Sequence, residues 1–136
     1  MIVLVSCGAR KHDRPIQAGL MYTGPYATSA LRWARSVVPE DRIFILSAKY
    51  GLVPYHHVID PYEMRLSDPA AVGPARIHAQ ASAYGLMDEH EVLVAGGRPY
   101  VALARSVWPH AVAPFADAGG MGYQMRAMKQ AFLGVA

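Results

Sequence analysis

The chain has 136 residues, of which 53% are apolar and 17% are charged, and its formal net charge at pH 7 is +3. This length predicts a single domain over residues 1–136, and the low charged fraction excludes an intrinsically disordered chain. The excess of basic over acidic residues permits a polyanionic partner such as DNA. Cys7 is the one cysteine, which excludes an intrachain disulfide and a cysteine-rich zinc site and favours a reducing cytoplasm.

The distribution of apolar residues excludes two further classes of protein. No apolar run approaches the roughly 20 residues that cross a bilayer, so we predict no contact with a membrane. The opening Met-Ile-Val-Leu-Val run has no basic flank and ends at Ser6, which is typical of a buried strand rather than a signal peptide. We therefore expect a cytoplasmic protein.

Apolar runs and amphipathic segments alternate along the sequence. Short β-branched runs predict strands at residues 2–5, 43–46, 92–95 and, more weakly, 111–113. Amphipathic segments predict helices at residues 28–37, 68–84, 100–108 and 123–133. Such alternation forms a parallel sheet through right-handed crossovers. The sequence thus predicts a three-layer α/β domain, with a four-stranded, mainly parallel sheet and helices on both faces.

In such sheets, ligands bind at the carboxyl ends of the strands. The predicted strands all end in small or glycine-containing segments, namely Ser6-Cys7-Gly8, Ser47-Ala48-Lys49-Tyr50-Gly51, Ala95-Gly96-Gly97-Arg98 and Pro114-Phe115-Ala116-Asp117. One glycine turn is ordinary, but four such turns on one edge favour a binding site, because glycine lets the backbone approach a ligand closely. The expected substrate-binding residues of these turns are Ser6, Cys7, Gly8, Ser47, Gly51, Gly96, Arg98 and Phe115.

The loop after the first strand offers backbone amides, a hydroxyl and the Lys11 ammonium to an anion. The GxxxxGK spacing of a phosphate loop is absent, and a solvated loop with charged tips explains the same residues. Cys7 has the chemistry of a nucleophile, but a small buried thiol is the more common role of such a residue.

The loop after the second strand combines a lysine, an acid and several rings. Lys49 can clamp a phosphate or act as an amine nucleophile. Asp60, stiffened by Pro61, can activate water or stabilise a positively charged sugar, although capping a turn is an equally ordinary role. Tyr50 and Tyr62 can stack on a base or pack under the loop.

Two adjacent histidines, His56 and His57, point in opposite directions in an extended segment and do not favour a shared metal ion. We predict no metal and no cofactor. We expect instead that His56 donates a hydrogen bond to the substrate and that Glu63 also contacts it.

Asp117 precedes a glycine-rich turn before the last predicted helix. Helix amino ends of this kind attract anions, so Gly120 and Gly122 are expected to contact the substrate. The alternative is that these glycines only form a flexible loop. Asp117 is the alternative to Asp60 as the acid beside the sugar.

Several of these segments resemble the small relatives of the YaaA-like (peroxide-stress protein) superfamily. The matching residues are Ser6-Cys7-Gly8 with Lys11, Leu20-Met21-Tyr22 before Tyr26, Ile45-Leu46-Ser47-Ala48-Lys49-Tyr50-Gly51-Leu52 with Ile59 and Pro61-Tyr62-Glu63, and Gly120-Met121-Gly122. The resemblance implies a DNA-associated role and kinship with uracil-DNA-glycosylase-like domains. Their Asp-Pro-Tyr signature has the same residues as Asp60-Pro61-Tyr62, although here it follows the second predicted strand. His56 stands where many relatives carry an acid.

These features predict a DNA glycosylase-like N-glycosidase that flips a modified or damaged base out of DNA and excises it. Asp60, Lys49 and Asp117 are the expected catalytic residues. Two alternatives stay open: a non-catalytic DNA- or nucleotide-binding module that acts in stress, and a hydrolase or transferase of free nucleosides.

Overall fold

The apolar run at the start of the chain forms β1 (Ile2–Ser6), which is fully buried. In the computed structural model, which describes residues 1–134, the later elements are β2 (Ile16–Gln17), α1 (Ala18–Met21), α2 (Pro25–Val37), β3 (Ile43–Ser47), β4 (Gly51–Pro54), β5 (Val58–Ile59), α3 (Pro74–Ala83), β6 (Val92–Ala95), α4 (Arg98–Arg105) and α5 (Met121–Phe132). Single 3-10 turns lie at Glu40–Arg42 and Ala116–Ala118. The first three predicted strands and the four predicted helices are confirmed, with shifted ends.

The central sheet has the strand order β4-β3-β1-β6, and β1 runs parallel to both β3 and β6. The predicted four-stranded, mainly parallel sheet is therefore confirmed in its strand number, but its fourth strand was wrongly assigned. That strand is β4, which runs antiparallel to β3, because Gly51 (φ 79°) reverses the chain directly after β3. The predicted strand at 111–113 forms only an isolated bridge between Val112 and Leu93, since prolines at 109 and 114 limit the run to a few residues.

The third helix also begins later than predicted. Gly73 and Pro74 occupy its N-cap and first turn, and a proline further inside a helix would remove a hydrogen bond. The preceding residues form turns instead, with the Ala70 amide donating to the Asp68 carboxylate at 2.8 Å.

Helices cover both faces of the sheet, which is compatible with the predicted three-layer domain. Alternate strand residues point to opposite faces. One core gathers Val3 and Ile45 with residues of α2 and α5, and the other gathers Leu4 and Leu46 with residues of α3 and α4. Each large apolar side chain buried in this way contributes about 1.5–3 kcal/mol.

Gln80 of α3 covers the free edge of β4. Its amide accepts a hydrogen bond from Leu52 N at 2.8 Å and donates one to Tyr50 O at 2.9 Å. Pro54 offers no amide proton on the same strand. The edge is therefore closed to pairing with another strand, and the backbone of Tyr50 is held in place.

Candidate functional site

A cleft of about 490 Å³ lies beyond the carboxyl end of β1, and we call it the Cys7 cleft. Three segments supply its walls: the loop after β1, the segment after β5 and the first turn of α4. The polar and glycine residues among its lining are Cys7, Gly8, Lys11, Glu63, Arg65, Ser67 and Tyr100. This volume lies within the range of small-molecule sites, about 300–1,000 Å³.

Lys11 is held on one wall of the cleft. Its backbone forms an antiparallel bridge with Tyr22, which fixes the loop after β1. Its ammonium lies 4.6 Å from the centre of the Tyr62 ring and 5.9 Å from that of Tyr22, and it donates to Ala9 O at 3.2 Å. Aromatic faces attract a cation without neutralising it, so the ammonium keeps its charge for an anionic ligand.

A buried chain of hydroxyl groups lies behind this wall. Ser47 Oγ accepts from the amides of Lys49 and Tyr50, at 3.2 and 3.0 Å, and donates to Tyr62 Oη at 2.7 Å. Tyr62 Oη in turn lies 2.7 Å from Tyr22 Oη. We call these three side chains the Ser47–Tyr62–Tyr22 chain; each is less than one-tenth exposed.

The phenols around the cleft stay protonated at neutral pH. Burial raises the pKa of Tyr22 and of Tyr62 above that of an exposed phenol, and the neighbouring Cys7 sulfur raises both further. Burial also raises the pKa of Tyr100, whose hydroxyl lies 3.1 Å from Cys7 Sγ. These groups therefore act as neutral hydrogen-bond donors.

Many of the predicted substrate-binding residues lie together at the carboxyl edge. Those at the cleft or directly behind it are Ser6, Cys7, Gly8, Lys11, Ser47, Tyr62 and Glu63. Gly96 lies next to Ser6 but lines a different depression, with Arg98 and Asp117, and a Cβ on it would lie 2.9 Å from the Cβ of Ser6. Tyr50 packs edge-on against Tyr62, with ring centres 5.3 Å apart, and Lys49 is exposed with its ammonium 5.2 Å from the Tyr50 ring. Gly51 forms the turn into β4.

The predicted catalytic carboxylates lie outside the Cys7 cleft. Asp60 lines a depression of about 280 Å³ with Tyr50 and Arg76. Asp117 lines a broad depression of about 950 Å³ between the first turns of α4 and α5. The carboxylate in the lining of the Cys7 cleft is that of Glu63.

The remaining predicted residues lie in other surroundings. Arg98 and Gly120 line the broad depression with Asp117, and Gly122 is exposed in the first turn of α5. Phe115 is buried and packs edge-on against Trp33, with ring centres 4.8 Å apart, so it belongs to the core.

His56 lies at the opposite edge of the sheet. Because β4 runs antiparallel to β3, the turn after β4 returns to the amino end of β3, where Pro54 pairs with Phe44. The His56 ring lies 2.8 Å from the Gln17 side-chain oxygen and 3.4 Å from the Glu40 carboxylate. The sequence did not predict that His56 lies at this edge, because the residues of β4 were interpreted as loop.

A family model matches residues 2–130, and its description is "Family of unknown function (DUF6884)". The chain belongs to this family. No curated protein and no solved structure matches it. The description of DUF6884 names no activity, so the Cys7 cleft is the basis for a functional assignment.

Sequence reasoning missed three polar residues that line the cleft of this DUF6884 chain, Arg65, Ser67 and Tyr100, and also Tyr22 behind its wall. Tyr100 lies in the first turn of α4, three residues after its N-cap Gly97, and this position just after β6 places it at the carboxyl edge. No spacing pattern marks Tyr22, whose place depends on the bridge to Lys11.

Two further observations concern cofactors and membranes. Within residues 1–134, no group of three or more His, Cys, Asp or Glu side chains is arranged to hold a metal ion. None of the helices in that part of the chain is long and apolar enough to span a bilayer.

Proposed function

We propose that this DUF6884 chain is a DNA glycosylase-like N-glycosidase, which flips a modified or damaged base out of DNA and excises it in the Cys7 cleft. One observation carries the proposal: the cleft combines the carboxylate of Glu63, the cations of Lys11 and Arg65 and the ring of Tyr100 at the carboxyl edge of the sheet. The three-layer α/β fold supports the kinship with uracil-DNA-glycosylase-like domains that the resemblance implies, although β4 departs from a fully parallel core.

The reaction requires a carboxylate near the sugar. Hydrolysis breaks the bond between C1′ and the base nitrogen, and water supplies a hydroxyl to C1′ while its second proton goes to the base. Positive charge develops on the sugar in the transition state, and a carboxylate stabilises it and orients the water. We assign this role to Glu63, because Asp60 and Asp117 line other depressions.

The leaving base requires hydrogen-bond donors and a ring surface. Lys11 and Arg65 carry donors into the cleft, and Tyr100 offers a half-buried ring. Tyr62 is buried between Lys11 and Tyr50, so the stacking role predicted for it passes to Tyr100. The same cations attract the phosphates that flank a flipped nucleotide.

Base release tests the proposal. Single- and double-stranded oligonucleotides, each with one modified or damaged base, are incubated with the protein, and abasic sites are detected by alkaline strand cleavage. We expect release from at least one substrate. Glu63→Gln is expected to slow release by at least about 100-fold, the contribution of a positioned acid or base. Release from none of the substrates by folded protein would refute the enzyme.

Asp60→Asn and Asp117→Asn are the matched controls, because each removes one charge from a neighbouring depression. We expect release rates within about threefold of the wild type for both. Loss of release in Asp60→Asn, with Glu63→Gln active, would return the catalytic role to Asp60. DNA binding without release in any variant would identify the non-catalytic module, and release from free nucleosides alone would identify a nucleoside hydrolase.

A further inference from the structure

The broad depression of about 950 Å³ lies beside the Cys7 cleft, and the two share the first turn of α4. Gly97 and Arg98 line the broad depression, whereas Pro99 and Tyr100, the next two residues, line the cleft. An elongated ligand that enters the cleft can therefore pass over this turn into the broad depression. A strand of DNA has this shape.

Two arginines of α4 line the broad depression without a carboxylate partner. Arg98 and Arg105 are exposed, and neither forms a salt bridge within residues 1–134. Arg105 Nε donates to Ala111 O at 3.1 Å, which orients the guanidinium. Asp117 is the carboxylate of the lining. The cations outnumber it, so the broad depression attracts anions, and a singly charged phosphodiester meets less repulsion from Asp117 than a doubly charged phosphate does.

A buried amide group belongs to the same lining. Gln124 lines the broad depression although it is only 8% exposed. Its side-chain oxygen accepts from Tyr26 Oη at 2.8 Å, which orients the amide. Its nitrogen carries two protons, of which Gly119 O, 3.5 Å away, can accept one. The second proton has no acceptor within residues 1–134, so an oxygen of a ligand in the broad depression would satisfy it.

The amino end of α5 adds backbone donors. The first helical hydrogen bond there runs from Gln124 N to Gly120 O at 3.0 Å, and no side chain in the described part of the molecule caps this end. The amides of residues 121–123 therefore lack a helical partner. A Cβ on Gly120 or Gly122 would meet no atom within 4 Å, so the space beside these amides is open. Phosphate oxygens bind at helix ends of this kind.

We propose that the broad depression binds a backbone phosphodiester of the DNA strand whose nucleotide occupies the Cys7 cleft. Arg98 and Arg105 hold the anion, and Gln124 and the amino end of α5 supply further donors. The protein thus selects a strand over a single nucleotide, because a mononucleotide in the cleft has no phosphodiester to place in the broad depression. This inference rests on the proposed function in taking the ligand of the cleft to be a nucleotide of DNA.

Equilibrium binding of two probes tests the inference. A single-stranded oligothymidylate carries phosphodiesters, whereas thymidine 5′-monophosphate carries none. We expect Arg98→Gln to weaken binding of the oligothymidylate by about tenfold and to make the slope of log affinity against log salt shallower by about 0.7, the contribution of one phosphate contact in a single strand. Binding of thymidine 5′-monophosphate and of inorganic phosphate should not change.

Two further variants accompany Arg98→Gln. Arg126→Gln is the matched control, because it removes an exposed arginine of α5 that does not line the broad depression. We expect it to change neither the affinity nor the salt slope. Arg98→Glu places an acid in the first turn of α4, which favours the helix. It should weaken strand binding more than Arg98→Gln does without lowering the temperature of unfolding, so a loss of binding is separated from a loss of folding.

Several results would overturn the inference: no binding of the oligothymidylate by the wild type, an unchanged salt slope in Arg98→Gln, or equal losses in Arg98→Gln and Arg126→Gln. An equal loss of affinity for thymidine 5′-monophosphate or inorganic phosphate would also overturn it, because the broad depression would then be a site for free phosphate groups.

The base-release assay separates the two proposals. Strand binding that depends on Arg98, without release from any modified oligonucleotide, would refute the N-glycosidase and leave the phosphodiester site in place. Base release by the wild type, with strand affinity unchanged in Arg98→Gln, would refute the phosphodiester site alone.

Discussion

At the amino edge of the sheet, Arg42 bonds to the Glu89 carboxylate and to the backbone oxygen of Met1, whereas at the carboxyl edge Lys11 lies over aromatic rings. His110 likewise donates to Glu89 O at 2.8 Å. These donors at the amino edge are therefore hydrogen-bonded to acceptors within the protein. At the carboxyl edge, buried hydroxyl groups of the Ser47–Tyr62–Tyr22 chain bond to one another rather than to charged partners. The paired edge is expected to contribute to stability, and the carboxyl edge carries the proposed ligand site.

Alkaline pH should affect the carboxyl edge most strongly. Because burial raises the pKa of Tyr22, Tyr62 and Tyr100, the native state keeps phenolic protons that the unfolded state loses above its pKa of about 10. Their stabilisation is fully present below pH 10 and is lost as pH rises beyond it, by about 1.4 kcal/mol per pH unit for each phenol. Denaturant unfolding between pH 9 and pH 11 measures this loss.

The variant Tyr22→Phe isolates one phenol from the other groups that titrate in this range. It should lose visibly less stability than the wild type between pH 10 and pH 11. Parallel pH curves for the two proteins would show that the buried phenols do not control alkaline unfolding.

The next largest effect is expected from Tyr62→Phe at neutral pH. The Tyr62 hydroxyl joins Ser47 to Tyr22, and its removal leaves the Ser47 proton without its acceptor and the Tyr22 hydroxyl without its Tyr62 partner. Losses of this kind cost about 1–3 kcal/mol in the free energy of unfolding. Tyr26→Phe breaks one partly buried bond and should cost about 1 kcal/mol or less. Equal losses in the two variants would argue against a connected chain.

The sequence predicts the fold well wherever a run of residues carries its own pattern. The buried run of β1 and the amphipathic face of α2 are read directly from apolar spacing. β4 is four residues long, ends in proline and is stabilised by pairing with β3 and by Gln80, so its formation depends on tertiary contacts that no local pattern shows.

The site is predicted only in part for the same reason. Cys7 and Lys11 follow β1 of the main sheet, and that position alone indicates the carboxyl edge. Glu63 follows β5 of the separate two-stranded sheet, so its place at the cleft depends on tertiary contacts. The choice among Glu63, Asp60 and Asp117 depends on which depression each carboxylate faces. The bonds that join Ser47 to Tyr62 and Tyr22 cross three segments that are distant in sequence.

DNA binding should distinguish Lys11 from a cation outside the cleft. Lys11→Met keeps most of the length of the unbranched side chain and removes its charge. We expect the affinity for DNA to fall by about tenfold and the slope of log affinity against log salt to become shallower by about 0.9, the contribution of one phosphate contact. Lys129→Met, in the last turn of α5, should change neither. Equal effects of the two variants would remove Lys11 from the proposed interface.

The smallest effect is expected at the amino edge, from Glu89→Gln. Burial alone would raise the pKa of Glu89, but hydrogen bonds from Arg42 and from the amino group of Met1 outweigh it and hold the pKa below its ordinary value. The charged carboxylate therefore contributes stability above the unfolded pKa of about 4.3, and the contribution is lost as pH falls through the folded value. Arg42 is partly exposed, so the pair contributes about 1 kcal/mol or less.

Glu89→Gln should thus flatten the loss of stability below pH 5 and leave base release unchanged. Thermal unfolding at pH 3–7 measures the stability, and the base-release assay with modified oligonucleotides measures the activity. A change in base release would show that the two edges are coupled through β1, and the division of the molecule into a stabilising edge and a ligand-binding edge would then be wrong.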